Sequence, residues 1–464
     1  MIVGRQSEFE SLQKKYASET FQFPVLYGRR RVGKTTLINQ FCLGKKAIYF
    51  VAVQSSIKEN LAILSMQILN VLAPESPQNT FLSFREAIDF VFEKARTEQF
   101  ILAIDEYPYL AGADKSVSSI LQAAIDKYQA DSKLFLILCG SSMSFMEKQV
   151  LGYESPLYGR RTAQYKILPF DYLDSAPMLP GFSNIDKIIL YSITGGIPEY
   201  LARINNHLSL KENILELFFT ASGRLYEEPY NLLKQELRMP ETYNAIISAI
   251  AGGNSKLNTI AAKASIETSQ CSKMLTTLNE LGIVKREYPV TEKESKKTIY
   301  LLNDGMFMFW YRFVLPEMSR IEMGLGALAC EEIFSGKLHE YVGHIFEKCA
   351  MQYLWHKLKV GGLPFSFNQL GRWWGNNPKE KREEEIDIVA VNNDGKAIFA
   401  ECKWRNSPAS LAVLKELERK SDLFGQYFKS GFVLFSKSGF TEELYDVQAK
   451  SDCLHLIDVD EMFR

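Results

Sequence analysis

The densest chemistry in the chain lies at residues 28–35, Gly-Arg-Arg-Arg-Val-Gly-Lys-Thr. Gly28 and Gly33 let a backbone wrap round a polyphosphate so that its N–H groups face the oxygens. Lys34 supplies charge at the β- and γ-phosphates, and the Thr35 hydroxyl reaches Mg2+. Together with Arg31, Val32 and Thr36 these residues form a candidate segment for binding a nucleoside triphosphate. A second group, Asp105-Glu106, follows the apolar run Phe100-Ile101-Leu102-Ala103-Ile104. Asp105 is suited to hold Mg2+, usually through water, and Glu106 to polarise the attacking water, because in-line hydrolysis needs a positioned base near the γ-phosphate. A third apolar run, Leu134 to Cys139, ends in Gly140-Ser141-Ser142. Ser141 or Ser142 is the candidate polar sensor of the γ-phosphate; a plain turn or helix cap is the competing role. Far along the chain, Asp387, Glu401 and Lys403, with a helical Glu347, combine hard oxygen donors and a cation. Such a set can hold Mg2+, activate water and stabilise a phosphorane-like charge.

These groups need elements to position them. Phe23, Val25 and Leu26 before the first loop, and Leu37, Ile38 and Phe41 after it, give a strand, a loop and a helix. The runs before Asp105 and Gly140 are short and continuously apolar, as buried parallel strands are. In the C-terminal region, Glu385 to Val391 and Ala397 to Trp404 flank Asn392-Asn393-Asp394-Gly395, a hairpin signal. Alternation puts Glu401 and Lys403 on one face, and the hairpin brings Asp387 beside them. A helical pattern over about 338–358 carries Glu347.

Between these regions, from about Tyr243, three amphipathic helical patterns precede strands beginning at Ile283 and Thr298. That order spells a winged helix-turn-helix. Ser269, Gln270, Ser272 and Lys273 fall on the polar face of its third helix, and Lys293, Lys296 and Lys297 in its wing. They can meet DNA bases and phosphates. Glu292 and Glu294 blunt the wing's charge, so a lid or docking module is the competing reading. The aromatic segment Met306 to Phe313 reads as interdomain packing.

The chain resembles the archaeal and bacterial AAA+/STAND class of switch ATPases. The resemblance rests on the loop, Asp105-Glu106, Val3-Gly4-Arg5-Gln6-Ser7-Glu8-Phe9 ahead of the first strand, and Gly195-Gly196-Ile197-Pro198 after the core. It implies that Gly4, Arg5 and Pro198 lie at the adenine and ribose, and hence ATP over GTP; the Asn-Lys-x-Asp base reader of GTP-binding proteins is missing from the sequence. It also implies a sensor or finger role for Arg160 or Arg161, with Arg160 catalytic, such fingers often coming from a neighbouring subunit. Arg29, Arg30 and Arg31 either support phosphates or contact another domain. The C-terminal region resembles the PD-(D/E)XK nuclease superfamily, with Asp387 as first acid, Glu401-Cys402-Lys403 as the Glu-x-Lys and Glu347 as the helix acid.

The expected fold is multidomain α/β: a P-loop parallel-sheet ATPase of the ASCE type over 1–170, a helical lid over 171–235, a winged helix over 236–305, a connecting segment over 306–335, and a restriction-endonuclease-like domain over 336–464. The expected cofactors are ATP and Mg2+. The expected partners are ATP, DNA through the winged helix and nuclease-like domain, and a second copy or another protein. The expected function is an ATP-driven switch governing a metal-dependent nuclease-like domain, with a regulatory scaffold whose nuclease-like domain is inert as the alternative.

Composition fits this frame. The 464 residues are 46% hydrophobic, enough for several cores, and the formal net charge of -1 places any nucleic-acid contact on a local basic face. Seven scattered cysteines without a CxxC pair read as reduced thiols. With no signal-like N-terminus and no run of membrane-spanning length, a cytoplasmic location is expected.

Overall fold

The computed structural model describes residues 3–75, 80–292, 297–363 and 366–464. The chain divides into two compact units, Met1–Pro169 and Phe170–Arg464. In the first, β1 (Pro24–Tyr27), β2 (Ala47–Val51), β3 (Ile101–Asp105), β4 (Phe135–Gly140) and β5 (Ala163–Lys166) form one sheet in the order β2-β3-β4-β1-β5. Every pairing in it is parallel. β4 therefore sits between the loop strand and the strand ending in Asp105, the extra-strand order expected of the ASCE type. Every residue of β3 and β4 is buried, which is why both read as unbroken apolar runs instead of alternating ones. Phe23, Phe50, Leu102, Leu136 and Leu138 are 0% exposed, and burying each such side chain contributes roughly 1.5–3 kcal/mol.

Around the sheet run α1 (Gln6–Tyr16), α2 (Lys34–Cys42), α3 (Tyr107–Ala113) and α4 (Ser116–Tyr128). Two further helices, Ile57–Leu72 and Phe84–Lys94, start where Ser56 and Ser83 accept hydrogen bonds from the N–H groups of Glu59 and Glu86. Such a cap satisfies a donor that the helix itself leaves unpaired. The carboxyl ends of β1, β3 and β4 carry the phosphate loop, Asp105 and Ser141, so the parallel order collects three segments distant in sequence at one sheet end.

In the second unit, α5 (Asn184–Thr194) stops at Gly195 and Gly196, whose φ values of 64° and 71° are left-handed. A Cβ on Gly196 would lie 2.1 Å from the Phe170 carbonyl oxygen, so both backbone and space demand glycine there. Pro198 then opens a short helix, Pro198–Leu201. Further on, α6 (Pro240–Ala251), α7 (Leu257–Lys263) and α8 (Thr268–Glu280) precede an antiparallel pair, β6 (Val284–Glu287) and β7 (Ile299–Leu302). α8 buries Cys271, Met274, Leu275 and Leu278 and exposes Ser269, Gln270 and Lys273. Lys293, Glu294 and Lys296 lie outside the described residues; Lys297 pairs with Glu292 at 2.6 Å. The aromatic segment is core: Phe307, Phe309 and Trp310 are 0% exposed, and Phe309 packs on Phe218 at 5.0 Å.

The chain then forms α9 (Leu338–Lys359), β8 (Gln369–Asn377), β9 (Arg382–Val391), β10 (Lys396–Lys403), α10 (Leu411–Ser421), β11 (Phe428–Ser436) and β12 (Leu454–Asp458). The sheet order is β12-β11-β10-β9-β8, antiparallel among β8, β9 and β10 and parallel from β10 to β12. Gly395, at φ 74°, supplies the tight turn between β9 and β10. Among the described residues no helix is long and apolar enough to cross a membrane.

Candidate functional site

The phosphate loop is built by close approach. A Cβ on Gly28 would meet the Ile167 carbonyl oxygen at 2.2 Å, and Gly33 adopts φ 90° immediately before α2. The first-turn N–H groups of α2 have no partners within the helix, which makes its start an anion site. Lys34 is buried, with Nζ donating to the carbonyl oxygens of Gly28 at 2.8 Å and Arg29 at 2.9 Å, so its charge sits inside the loop curve. Arg5 braces the loop from the N-terminal side: its guanidinium donates to the Val32 carbonyl at 2.9 Å and to that of Leu168. Gly4, at φ 62°, turns the chain into that contact.

Thr35 Oγ1 donates to Asp105 Oδ2 at 2.8 Å, tying the loop helix to the end of β3. Tyr49, from β2, donates to the same oxygen at 2.6 Å, and the Glu106 N–H donates to Oδ1 at 2.9 Å. Burial pushes the Asp105 carboxyl up, but hydrogen bonds from the Cys139 thiol, Tyr49, Thr35 and the Glu106 N–H outweigh it and hold the group below its ordinary value. An ionised carboxylate beside a hydroxyl is a hard-oxygen pair that fits Mg2+, completed by waters and phosphate oxygens. Glu106 has a left-handed backbone, φ 51°, and its carboxylate accepts from the Ser141 hydroxyl at 2.9 Å. Of the two candidate serines, Ser141 is thus the one that faces the acid pair.

Arg160 and Arg30 both have partners within the first unit. Arg160 forms a fork with Asp126 of α4, Nε–Oδ1 and Nη2–Oδ2 both 2.7 Å, and also donates to the Pro156 and Tyr158 carbonyls. Its guanidinium is committed to a carboxylate in this conformation, and the γ-phosphate role requires that fork to open. Arg30 donates to the Tyr109 hydroxyl at 2.7 Å, bracing the loop against α3 within its own unit. Tyr49, Cys139 and Tyr109 escaped the sequence reading. Strand neighbours at the sheet's carboxyl end would have been the signal, had the strand order been known.

In the second unit, Ile388 opposes Ala400 in the β9–β10 register, which brings Asp387 alongside Glu401. Asp387 accepts from the Cys402 N–H at 2.9 Å, and Lys403 Nζ lies 2.8 Å from Glu401 Oε1, so the predicted strand trio does converge. Burial, then the Glu401 and Glu347 charges, push the Asp387 carboxyl up to about 7. Among the described residues the buried Glu401 Oε2 has no hydrogen-bond partner, with the Lys420 ammonium 3.8 Å away. A buried acid repelled by two others, and a buried carboxylate oxygen lacking a donor, fit a hard cation. Glu347 departs from the expected ligand set. It pairs with Arg372 at 3.4 Å and His344 at 3.6 Å, and among the described residues no three His, Cys, Asp or Glu side chains form a metal-holding group. Arg372, shared among Glu287, Glu347 and Glu385, competes with a metal for the helix acid, whose charge still acts on Asp387.

The sheet order, the phosphate loop and the paired acids define the first unit as the ATPase domain of a P-loop protein. Residues 2–204 match a family described as an ATPase domain predominantly from Archaea, and residues 310–420 match one described as archaeal and bacterial proteins of unknown function. An uncharacterized protein of Methanocaldococcus jannaschii is 34% identical over 433 residues, covering 92% of this chain and 93% of that protein. The chain belongs to the same family as that protein, and its residues 2–204 carry the ATPase domain found predominantly in Archaea. An uncharacterized ATP-binding protein of the same organism is 48% identical over 46 residues, 10% of this chain and 78% of that one. Among solved structures, the Walker-type ATPase PABY2304 of Pyrococcus abyssi shares the fold at TM-score 0.50 and 21% identity, over 67% of this chain and 96% of its own.

Proposed function

We propose that the protein is an ATP-hydrolysing switch that controls a metal-dependent, nuclease-like C-terminal region. The observation that carries the first half is the joining of Thr35 to Asp105 at 2.8 Å and of Glu106 to Ser141 at 2.9 Å at one sheet end. Lys34 and the α2 N-terminus bind the phosphates, Arg5 and Gly4 fix the loop at the nucleoside side, and Glu106 orients and accepts a proton from the attacking water. Mg2+ held near Thr35 and Asp105 would neutralise phosphate charge. Arg160, after release from Asp126, belongs to the same proposal. Ser141 links γ-phosphate occupancy to Glu106, the local event from which a change of conformation can start.

Support for the second half is the Asp387, Glu401 and Lys403 cluster on adjacent strands, in a region whose order of one helix, three antiparallel strands, a helix and a parallel strand suits the PD-(D/E)XK reading. The three helices and hairpin of 240–302 suit a winged helix, with exposed Ser269, Gln270 and Lys273 available to DNA. Plasmid nicking with Mg2+ or Mn2+, with and without ATP, tests the proposal against Asp387→Ala and Glu401→Ala. Cleavage by the wild type alone supports it. No cleavage under any condition leaves the inert scaffold as the reading.

A further inference from the structure

A cavity of about 210 Å³ lies in the second unit, where α6, β6, β7, α9 and β8 meet. A single water needs only about 10–15 Å³ of such space, so the cavity has room for a small molecule. Its wall has two characters. Leu301, Leu302, Met308, Ile345 and Met351 supply apolar surface, while Lys285, Arg312, His344, Lys348 and Arg372 bring basic groups and Glu347 the one acid. The carboxylates that pair with the outer cations, Glu287, Glu340 and Glu385, are not part of the wall. Among the described residues Lys348 has only a long hydrogen-bond contact, 3.4 Å to the Asn303 carbonyl. Another lysine, Lys285, lines the same cavity, and its charge acts on Lys348.

We propose that this cavity binds a small amphipathic anion, a carboxylate or phosphate head on an apolar body, with the head at Lys348 and Lys285 and the body against Leu301, Met308 and Met351. Lys285, Arg312 and Arg372 are paired with carboxylates, whereas Lys348 has no ion-pair partner among the described residues, so an anionic head supplies the charge it lacks and a cationic guest would add a like charge beside it. The apolar wall disfavours a nucleic-acid backbone, which is polar throughout and would leave that surface unfilled. The proposal stands independently of whether Asp387 and Glu401 cut nucleic acid.

The test uses the full chain with four probes of one chain length: octanoate, octyl phosphate, octanol and octylamine. Calorimetric titration should give saturable binding of octanoate, octyl phosphate or both, and weaker or no binding of octanol and octylamine; the preferred head distinguishes carboxylate from phosphate. Lys348→Met should weaken the anion by about tenfold or more, as loss of a charged hydrogen bond does. Ala251→Phe, which fills the cavity from α6, should abolish binding, with circular dichroism and fluorescent ATP-analogue binding confirming the fold. If Lys348→Met does not fold, Lys285→Met takes its place in the comparison. Failure of both anions to bind, equal binding of octylamine, or undiminished binding in the substituted proteins would each overturn the proposal.

Discussion

Ser141 and Glu106 are joined through one carboxylate oxygen: the Ser141 hydroxyl donates to Glu106 Oε2 at 2.9 Å and its backbone N–H lies 3.3 Å from the same atom. The bond spans β4 and the turn after β3, and it restrains an acid whose left-handed backbone costs roughly 1–3 kcal/mol. A non-glycine residue in that conformation persists only where its surroundings fix it. Here the fixing group is also the side chain proposed to meet a γ-phosphate. Removing it, as in Ser141→Ala, should lower kcat for ATP by about tenfold while leaving ADP affinity unchanged. Stopped-flow phosphate release and ADP titration check this, and an unaltered kcat would reduce Ser141 to a strand-end cap.

Glu106→Gln should retain ATP binding and lose about 10²–10⁴-fold in hydrolysis, the usual contribution of a positioned acid–base group. Lys34→Ala should instead lose nucleotide binding itself, because the charge within the loop curve goes. Filter binding of ATP beside turnover separates the two substitutions. Similar binding losses in both would argue against Glu106 as the base.

Tyr49 contributes a prediction that composition and motifs do not offer. Its hydroxyl donates to Asp105 Oδ2 at 2.6 Å and is one of the donors keeping that carboxyl ionised. Tyr49→Phe should raise the Mg2+ concentration for half-maximal turnover by up to about tenfold, the loss of one hydrogen bond, with rescue at high Mg2+. An unchanged Mg2+ dependence would make Tyr49 a packing residue only.

Asp387 supplies a pH signature. Its folded value, about 7, is above that of an ordinary carboxyl, so the folded state favours the protonated form. The associated stability is fully present below the unfolded value near 4 and is lost as pH rises through about 7. In chelator, wild-type stability should therefore fall relative to Asp387→Asn across that window, by on the order of 3 kcal/mol. Denaturant melts at pH 4, 5.5 and 7.5 measure it. Mn2+ should reduce the difference at pH 7.5, because a bound cation favours the ionised acid. Parallel pH profiles for the two proteins would remove the burial and charge argument.

The sequence by itself determined the parts that are local. Residues 28–36 are one contiguous stretch whose glycines, lysine and threonine act through backbone shape and a helix start, so strand, loop and helix were legible from spacing alone. Asp105, the β9–β10 hairpin and the Asp387, Glu401 and Lys403 grouping were legible for the same reason, since an apolar run or a two-residue alternation fixes which face a side chain takes. Tertiary structure decided what crosses the chain. Parallel pairing set Tyr49 beside Asp105 and β4 between β1 and β3, the meeting of Arg160 with Asp126 closed a fork across 34 positions, and Arg372 drew Glu347 into an ion pair. Each of these is a competition among charges or donors brought together by strand order and helix packing. A residue's type gives what it can bind, but only the folded chain decides which partner reaches it first.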